Sequence, residues 1–260
     1  MNHVTLINRM IGGVYMSLVA RVKYMLPNQL KAILKSVTGR DVFKSYSQFG
    51  EDAYLYAYFI GKTWREGVSM YLPSDGFYVD VGAYSPTECS NTHAFYKHGW
   101  NGINIDATPG VMSSFDLLRK RDINLNVAIG SESKTLIFYS WGAPNVFNTA
   151  DPELAQQRAK ILGQKPHEIN VQCLPLAEVL EKHMPSSANF NFLTVDVEGL
   201  DLEVLQSNNW QKYRPELVVA ENYSSTLDDL KNAELLKYMT DQGYEILAWL
   251  KPSIIFQDKH

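Results

Sequence analysis

The chain has 260 residues, enough for one large α/β domain with its own core. Hydrophobic residues make up 45% and charged residues 20%, an ordinary soluble composition, and a formal charge of −4 argues against nucleic acid as a main partner. Two cysteines, Cys89 and Cys173, form no CxxC pair, so the composition signals neither a zinc site nor a disulfide framework and suits reduced thiols in a cytoplasmic protein.

Residues 1–44 read as a separate, basic amphipathic segment. Arg9, Arg21, Lys23, Lys31, Lys35 and Arg40 precede the first acid, Asp41. The apolar run 10–20 falls short of the roughly 20 residues that a spanning helix needs. A cleaved leader would begin this way, but it would not require the cationic, partly apolar pattern to continue through Leu30 and Leu34. Two readings fit the whole segment. One is peripheral contact with an anionic membrane surface, at the inner face of the membrane; the other is a helix packed on the domain or in a dimer interface.

Residues 45–260 carry the folded domain. The run Tyr54, Tyr56, Tyr58 and Phe59 predicts a helix after Glu51 and Asp52. Phe77–Val81 is an apolar run that ends in the turn Gly82-Ala83-Tyr84 and predicts the first strand. A helix follows over 92–97, then a strand over Gly102–Ile105 that ends in Asp106. Pro109 opens a helix through Met112, Phe115 and Leu118. Strands are expected at Asn124–Ile129 and Leu136–Ser140. Residues 141–170 are polar, with glycines and prolines and one helix near Pro152–Leu162, and read as a substrate-side insertion. A helix at Leu176–Glu181, a strand at Phe190–Val195, a helix at Asp201–Ser207 and a strand at Leu217–Ala220 come next. One helix over Leu227–Gln242 and a hairpin of Tyr244–Leu250 with Ser253–Gln257 close the chain.

Alternating strands and helices specify a doubly wound, mostly parallel sheet, and ligands of such sheets sit at the carboxyl ends of the strands. An acid some 20 residues past a glycine turn suits ribose hydroxyls, so Gly82 and Asp106 point to a nucleoside-containing cofactor. The turn Asp80-Val81-Gly82-Ala83-Tyr84-Ser85-Pro86 lacks the second and third glycines of GxGxxG. A pyrophosphate needs that close backbone approach, and a sulfonium cofactor has no phosphate. The turn therefore favours S-adenosylmethionine over NAD.

Several motifs stand in a fixed order: Ser47-Gln48-Phe49-Gly50-Glu51-Asp52, Val79-Asp80-Val81-Gly82, Ser90-Asn91-Thr92, Gly99–Asp106, Asn126–Gly130, Asp196-Val197-Glu198-Gly199 and Arg214-Pro215-Glu216. In this order they resemble the FkbM-type methyltransferase family from about residue 45 to 222. The resemblance implies a Rossmann-like, seven-stranded methyltransferase sheet with an antiparallel C-terminal hairpin. It also implies an S-adenosylmethionine-dependent O-methyltransferase acting on a hydroxyl of a sugar, glycan or natural-product acceptor. Where many methyltransferases have a second glycine, Ser85-Pro86-Thr87 stands here. An NAD-dependent sugar oxidoreductase and a non-catalytic binding protein on the same fold are the alternatives.

The expected cofactor residues are Gln48, Asp80, Gly82, Ala83, Tyr84, Asn91, Asp106, Ala107, Ala128 and Ile129. Asp106 would take the ribose, while Ala128 and Ile129 would line the adenine. Asp196, Glu198 and Glu51 are the expected catalytic acids, and Asp52, Trp141, His167 and Asn222 the expected substrate contacts. Asp196, Glu221 and Asn222 are similar to the acids and amide that hold magnesium in catechol-type O-methyltransferases. All three offer oxygen ligands to Mg2+ or another divalent cation.

Overall fold

The computed structural model describes residues 43–67, 72–73, 75–143 and 145–260. The basic segment, and with it the expected membrane or dimer contact, lies outside the described residues. Among the described residues no helix is long and apolar enough to cross a membrane.

Two sheets organise the domain. The larger has seven strands in the order β3-β2-β1-β7-β8-β10-β9. Its parallel part is β1 (Phe77–Val81), β2 (Asn101–Ile105), β3 (Ile123–Leu125), β7 (Phe190–Val195) and β8 (Leu217–Glu221). Every residue of β1 and β7 is buried, as expected for strands covered on both faces. The antiparallel end is the predicted hairpin, β9 (Tyr244–Leu250) and β10 (Ser253–Asp258). The smaller sheet runs β4 (Ala128–Ile129), β6 (His167–Leu174), β5 (Lys134–Ser140).

Alternation along β1 divides its side chains between two cores. Phe77, Val79 and Val81 pack with Leu176, Val179 and Leu180 of α5 (Leu176–His183), Val204 and Leu205 of α6 (Asp201–Gln206), and Leu235 and Met239 of α8 (Glu234–Asp241). On the other face Tyr78 meets Phe192, and Phe59 of α1 (Glu51–Arg65) packs edge-on against Trp100, with ring centroids 5.2 Å apart. Helix α1 begins with Glu51 and Asp52 and ends near Lys62 and Arg65, the charge order that its dipole favours.

Beneath the aromatic face runs a buried polar chain. Arg119 follows α3 (Met112–Leu118) and is wholly buried. Its guanidinium donates to Asp122 Oδ2 (2.9 Å), Pro86 O (3.0 Å), Tyr78 Oη (2.8 Å) and Thr92 Oγ1 (3.0 Å). Thr92 in turn donates to Asp80 Oδ2 at 2.8 Å. Asp122 also accepts from Tyr78 Oη, the Gly102 amide and Asn104. The chain thereby links β1, β2 and the residues leading into α2 (His93–Lys97).

Three expected elements change. The single strand over 124–129 is two strands in two sheets. The Asn126 side-chain amide donates to Asp106 O (2.7 Å) and Thr108 O (2.9 Å), which turns the chain out of the large sheet after Leu125. The helix over 227–242 is divided into α7 (Leu227–Asn232) and α8 by Ala233, whose backbone is extended. The insertion is shorter than 141–170, because β6 begins at His167 and pairs along all of β5. Its alternation of buried Val171 and Cys173 with exposed Gln172 is the strand period inside a polar-looking stretch.

Within 141–166 the chain returns to β5 through a bridge between Tyr139 and Thr149, then forms α4 (Pro152–Leu162). Asp151 caps α4, accepting from the amides of Glu153 (2.8 Å) and Leu154 (3.1 Å), and Pro152 occupies the first turn. Asp151→Ala is expected to cost about 1 kcal/mol. Its deficit should appear in hydrogen exchange as faster amides at the start of α4, with the large sheet unchanged.

Candidate active site

The strand order reverses between β1 and β7, and there a cavity of about 400 Å³ opens at the carboxyl edge. Its volume lies in the range of small-molecule sites. Four strand ends supply its floor: Gly82 after β1, Asp106 after β2, Asp196 after β7 and Glu221 at the end of β8.

Gly82 has φ 84°, and a Cβ there would lie 1.7 Å from the Asp196 carbonyl oxygen. The glycine is thus required first by the close approach of two strand ends, and only then by any ligand. The Asp106 carboxylate is held by two backbone amides, Thr108 N to Oδ1 (2.7 Å) and Tyr84 N to Oδ2 (2.8 Å). Each oxygen keeps a lone pair for a hydroxyl donor. Burial raises its pKa, against the pull of those two amides. Beside it Ala107, Ala128, Ile129 and Phe138 form an apolar wall, the last three from the small sheet.

The opposite end is acidic. Burial pushes the Asp196 carboxyl well up, and the neighbouring charges of Glu221, Asp201, Glu198 and Asp80 push it further. Glu221 is also raised, first by burial. The two titrate as a pair that retains a proton to higher pH than an isolated carboxylate would. Tyr223 donates its phenol to Glu221 Oε2 at 2.7 Å. Behind them burial raises Asp201 to about 7, and its carboxyl accepts from the amides of Glu221 (3.0 Å) and Val197 (3.4 Å), pinning both turns.

Glu198 sits at φ 57°, a conformation costly for a residue with a Cβ, and its Oε2 accepts from Arg158 Nη2 at 2.5 Å. Arg158 comes from α4 and also donates through Nη1 to Phe147 O (3.1 Å) and Asn148 O (3.3 Å). Asn148 in turn reaches Thr108 Oγ1 at 3.3 Å. These bonds draw residues 145–150 over the cavity as one wall.

Of the residues expected from sequence, Gln48, Gly82, Tyr84, Asp106, Ala107, Ala128, Ile129, Asp196, Glu198 and Glu221 line this single cavity. The others stand outside its wall. Glu51 is buried, with Oε1 accepting from Ser253 Oγ (2.7 Å) and Oε2 from the Phe49 amide (3.0 Å), so it ties the hairpin to the loop before α1. Asp52 is spent on Ser45 Oγ, the Tyr46 amide and Ser47 Oγ. Asp80 faces Thr92, and burial raises it to about 6. Ala83 packs on Val111, Met112 and Phe115. Asn91 donates to Thr194 Oγ1 at 2.9 Å. The Trp141 indole donates to Gln164 O at 3.0 Å, and His167 is exposed where β6 starts. The Asn222 amide oxygen accepts from the Ser224 amide at 3.1 Å and from its hydroxyl.

The expected divalent-cation site finds no support among the described residues. Among the described residues no group of three or more His, Cys, Asp or Glu side chains is placed to hold a metal ion, and Asn222 is committed to its own turn. Asp196 and Glu221 remain together as an acid pair, without the third ligand.

Sequence reasoning passed over Arg158, Asn148, Thr149, Phe49, Phe147, Cys89 and Tyr223, all of which line the cavity. Arg158 carried a signal, being the lone arginine of residues 141–170. The others carried none that separates them from ordinary loop residues.

No curated protein matches the sequence. The family model described as the methyltransferase FkbM domain matches residues 80–246, which run from the end of β1 into β9 and take in Asp106, Asp196 and Glu221. With nearly two thirds of its length matched, and with the seven-stranded sheet that the motifs implied, the chain belongs to the FkbM methyltransferase family.

Proposed function

We propose that the protein is an S-adenosylmethionine-dependent O-methyltransferase acting on a hydroxyl of a sugar, glycan or related natural-product acceptor. The observation that carries this reading is one cavity with Asp106 at one end and the Asp196–Glu221 pair at the other. Asp106, oriented by two amides, suits a ribose diol, and Ala107, Ala128, Ile129 and Phe138 suit an adenine face. On this reading the reactive end of the cofactor lies over β7 and β8. The family match supports it over the nicotinamide alternative.

When bound, the cofactor supplies an electrophilic methyl group on a sulfonium. The chain's own task is to align an acceptor oxygen with that methyl and to receive its proton. As that methyl passes from sulfur to the acceptor oxygen, the ionised member of the Asp196–Glu221 pair would take the hydroxyl proton. Residues 145–150 and Arg158 cover this end and limit access of water. Contact of residues 1–40 with an anionic membrane would set the enzyme beside membrane-borne acceptors in the cytoplasm.

Titration calorimetry tests the cofactor assignment. The full chain should bind S-adenosylhomocysteine and ignore NAD. Asp106→Asn keeps the shape but replaces one acceptor by a donor, facing two amides and a diol. Its affinity should fall about 100-fold, roughly 2.7 kcal/mol. Equal affinity in the variant would remove Asp106 from the ribose.

A further inference from the structure

Three exposed aromatic side chains line the cavity: Phe49 is 48% exposed, Phe147 37% and Tyr223 65%. Two of them are tied to its acids. Tyr223 donates to Glu221, and the Phe147 carbonyl shares Arg158 with Glu198. The adenine wall, by contrast, is built at the other end from Ala107, Ala128, Ile129 and Phe138. The exposed rings are therefore left for the second substrate.

The charge at this end is one-sided. Asp196, Glu198 and Glu221 line it, and among the described residues Arg158 is the one lysine or arginine in the cavity wall. Arg158 is not free to take an anion, because Glu198 and two backbone carbonyls already hold it. A carboxylate or phosphate on the acceptor would meet carboxylates in a confined space, where repulsion is screened less than in water.

Resting on the methyltransferase reading above, we infer that the acceptor is an uncharged, hydroxylated ring. Its apolar C–H face lies on the aromatic rim while its hydroxyl points to the acid pair, and the site rejects acceptors carrying a carboxylate or phosphate. Phe147 and Tyr223 set affinity for the ring; the Glu198–Arg158 pair sets the exclusion of anions.

The test is release of S-adenosylhomocysteine from S-adenosylmethionine in the presence of matched pairs: methyl glucoside, galactoside and mannoside, each against its uronate and its 6-phosphate. At least one uncharged glycoside should turn over, with kcat/KM about 10-fold or more above its anionic partners. Phe147→Ala and Tyr223→Ala should each raise the KM for that glycoside up to about 10-fold, without changing the affinity for S-adenosylhomocysteine. Glu198→Gln removes the negative charge that offsets the Arg158 guanidinium and should narrow the discrimination against uronates, an effect that mere loss of packing would not produce. Turnover of a uronate or phosphate as good as that of its neutral partner overturns the inference. So does a protein that binds S-adenosylhomocysteine yet methylates none of the neutral glycosides. Failure to bind S-adenosylhomocysteine at all would instead remove the underlying methyltransferase reading.

Discussion

Asp196→Asn should lower kcat for methyl transfer by about 10²–10⁴, while affinity for S-adenosylhomocysteine stays within a few-fold of the parent. Asparagine fills the same space but cannot receive a proton, so the loss falls on the transition state. A thousandfold loss corresponds to about 4 kcal/mol of barrier. The parent enzyme should also show a rising pH profile. Its base works only when ionised, and both members of the pair are raised, first by burial and then by neighbouring carboxylates: Glu221, Asp201 and Glu198 act on Asp196, and Glu198 and Glu51 on Glu221. Activity is therefore present above the pair's elevated range and lost as pH falls through it. In Asp196→Asn, Glu221 keeps the burial and the Glu198 and Glu51 charges that raise it, and loses only the Asp196 hydrogen bond that lowers it. Any residual activity that uses Glu221 should therefore still be lost as pH falls through that residue's raised range. A variant with full activity and an unmoved profile would take Asp196 out of the chemistry and leave the proposed proton path without its first residue.

Arg119→Met is expected to be the most damaging single change to stability. The methionine is of similar length and apolar, but it strands Asp122, which is buried and loses its cation, along with the Pro86 carbonyl and the Thr92 hydroxyl. Breaking a buried pair from one side costs about 3–5 kcal/mol. That is a large share of the 5–15 kcal/mol or so that holds a typical domain together. At roughly 2–4 °C per kcal/mol, the melting temperature should drop by about 6–20 °C. The deficit should also depend on pH. Burial raises Asp80 to about 6 in the folded protein, against its ordinary 3.8, and Arg119 opposes that rise. A group raised in this way stabilises the fold relative to its ionised form at low pH, and the advantage is lost as pH climbs through 6. Without Arg119 the ionised Asp80 is less tolerable, so the variant should fall further behind the parent between about pH 6 and 8. Thermal unfolding followed by circular dichroism at both pH values measures this. A melting point within about 2 °C of the parent would mean that the network is redundant.

The parts of the fold that could be read from sequence are those in which a buried strand is followed at once by a residue with a job. Phe77–Val81 into Gly82, Gly102–Ile105 into Asp106, and Phe190–Val195 into Asp196 each gave strand, edge and cavity-lining residue together. The remainder depends on encounters that no local pattern encodes. Glu51 has all the marks of an active acid until Ser253, 202 residues away, is found bonded to it. Arg158 and Glu198 meet across 40 residues. Asn126 breaks a run that looks like one strand because its amide caps carbonyls of the preceding loop. Asn222 is a like case: it follows Glu221 directly, yet its side-chain oxygen turns to Ser224. Sequence adjacency put three oxygens near one strand end, and rotation about single bonds decided which of them faced inward.

The bridge of Ser140 to His167 brings the two ends of the 141–166 excursion side by side at the last pair of an antiparallel ladder. Such an anchorage lets the length of the stretch vary while its stem keeps a fixed spacing, because lengthening the excursion would cost little closure entropy. Its tip is not independent of the strand edge: Asn148 bonds Thr108 and Arg158 bonds Glu198, so any graft would have to carry both residues with it.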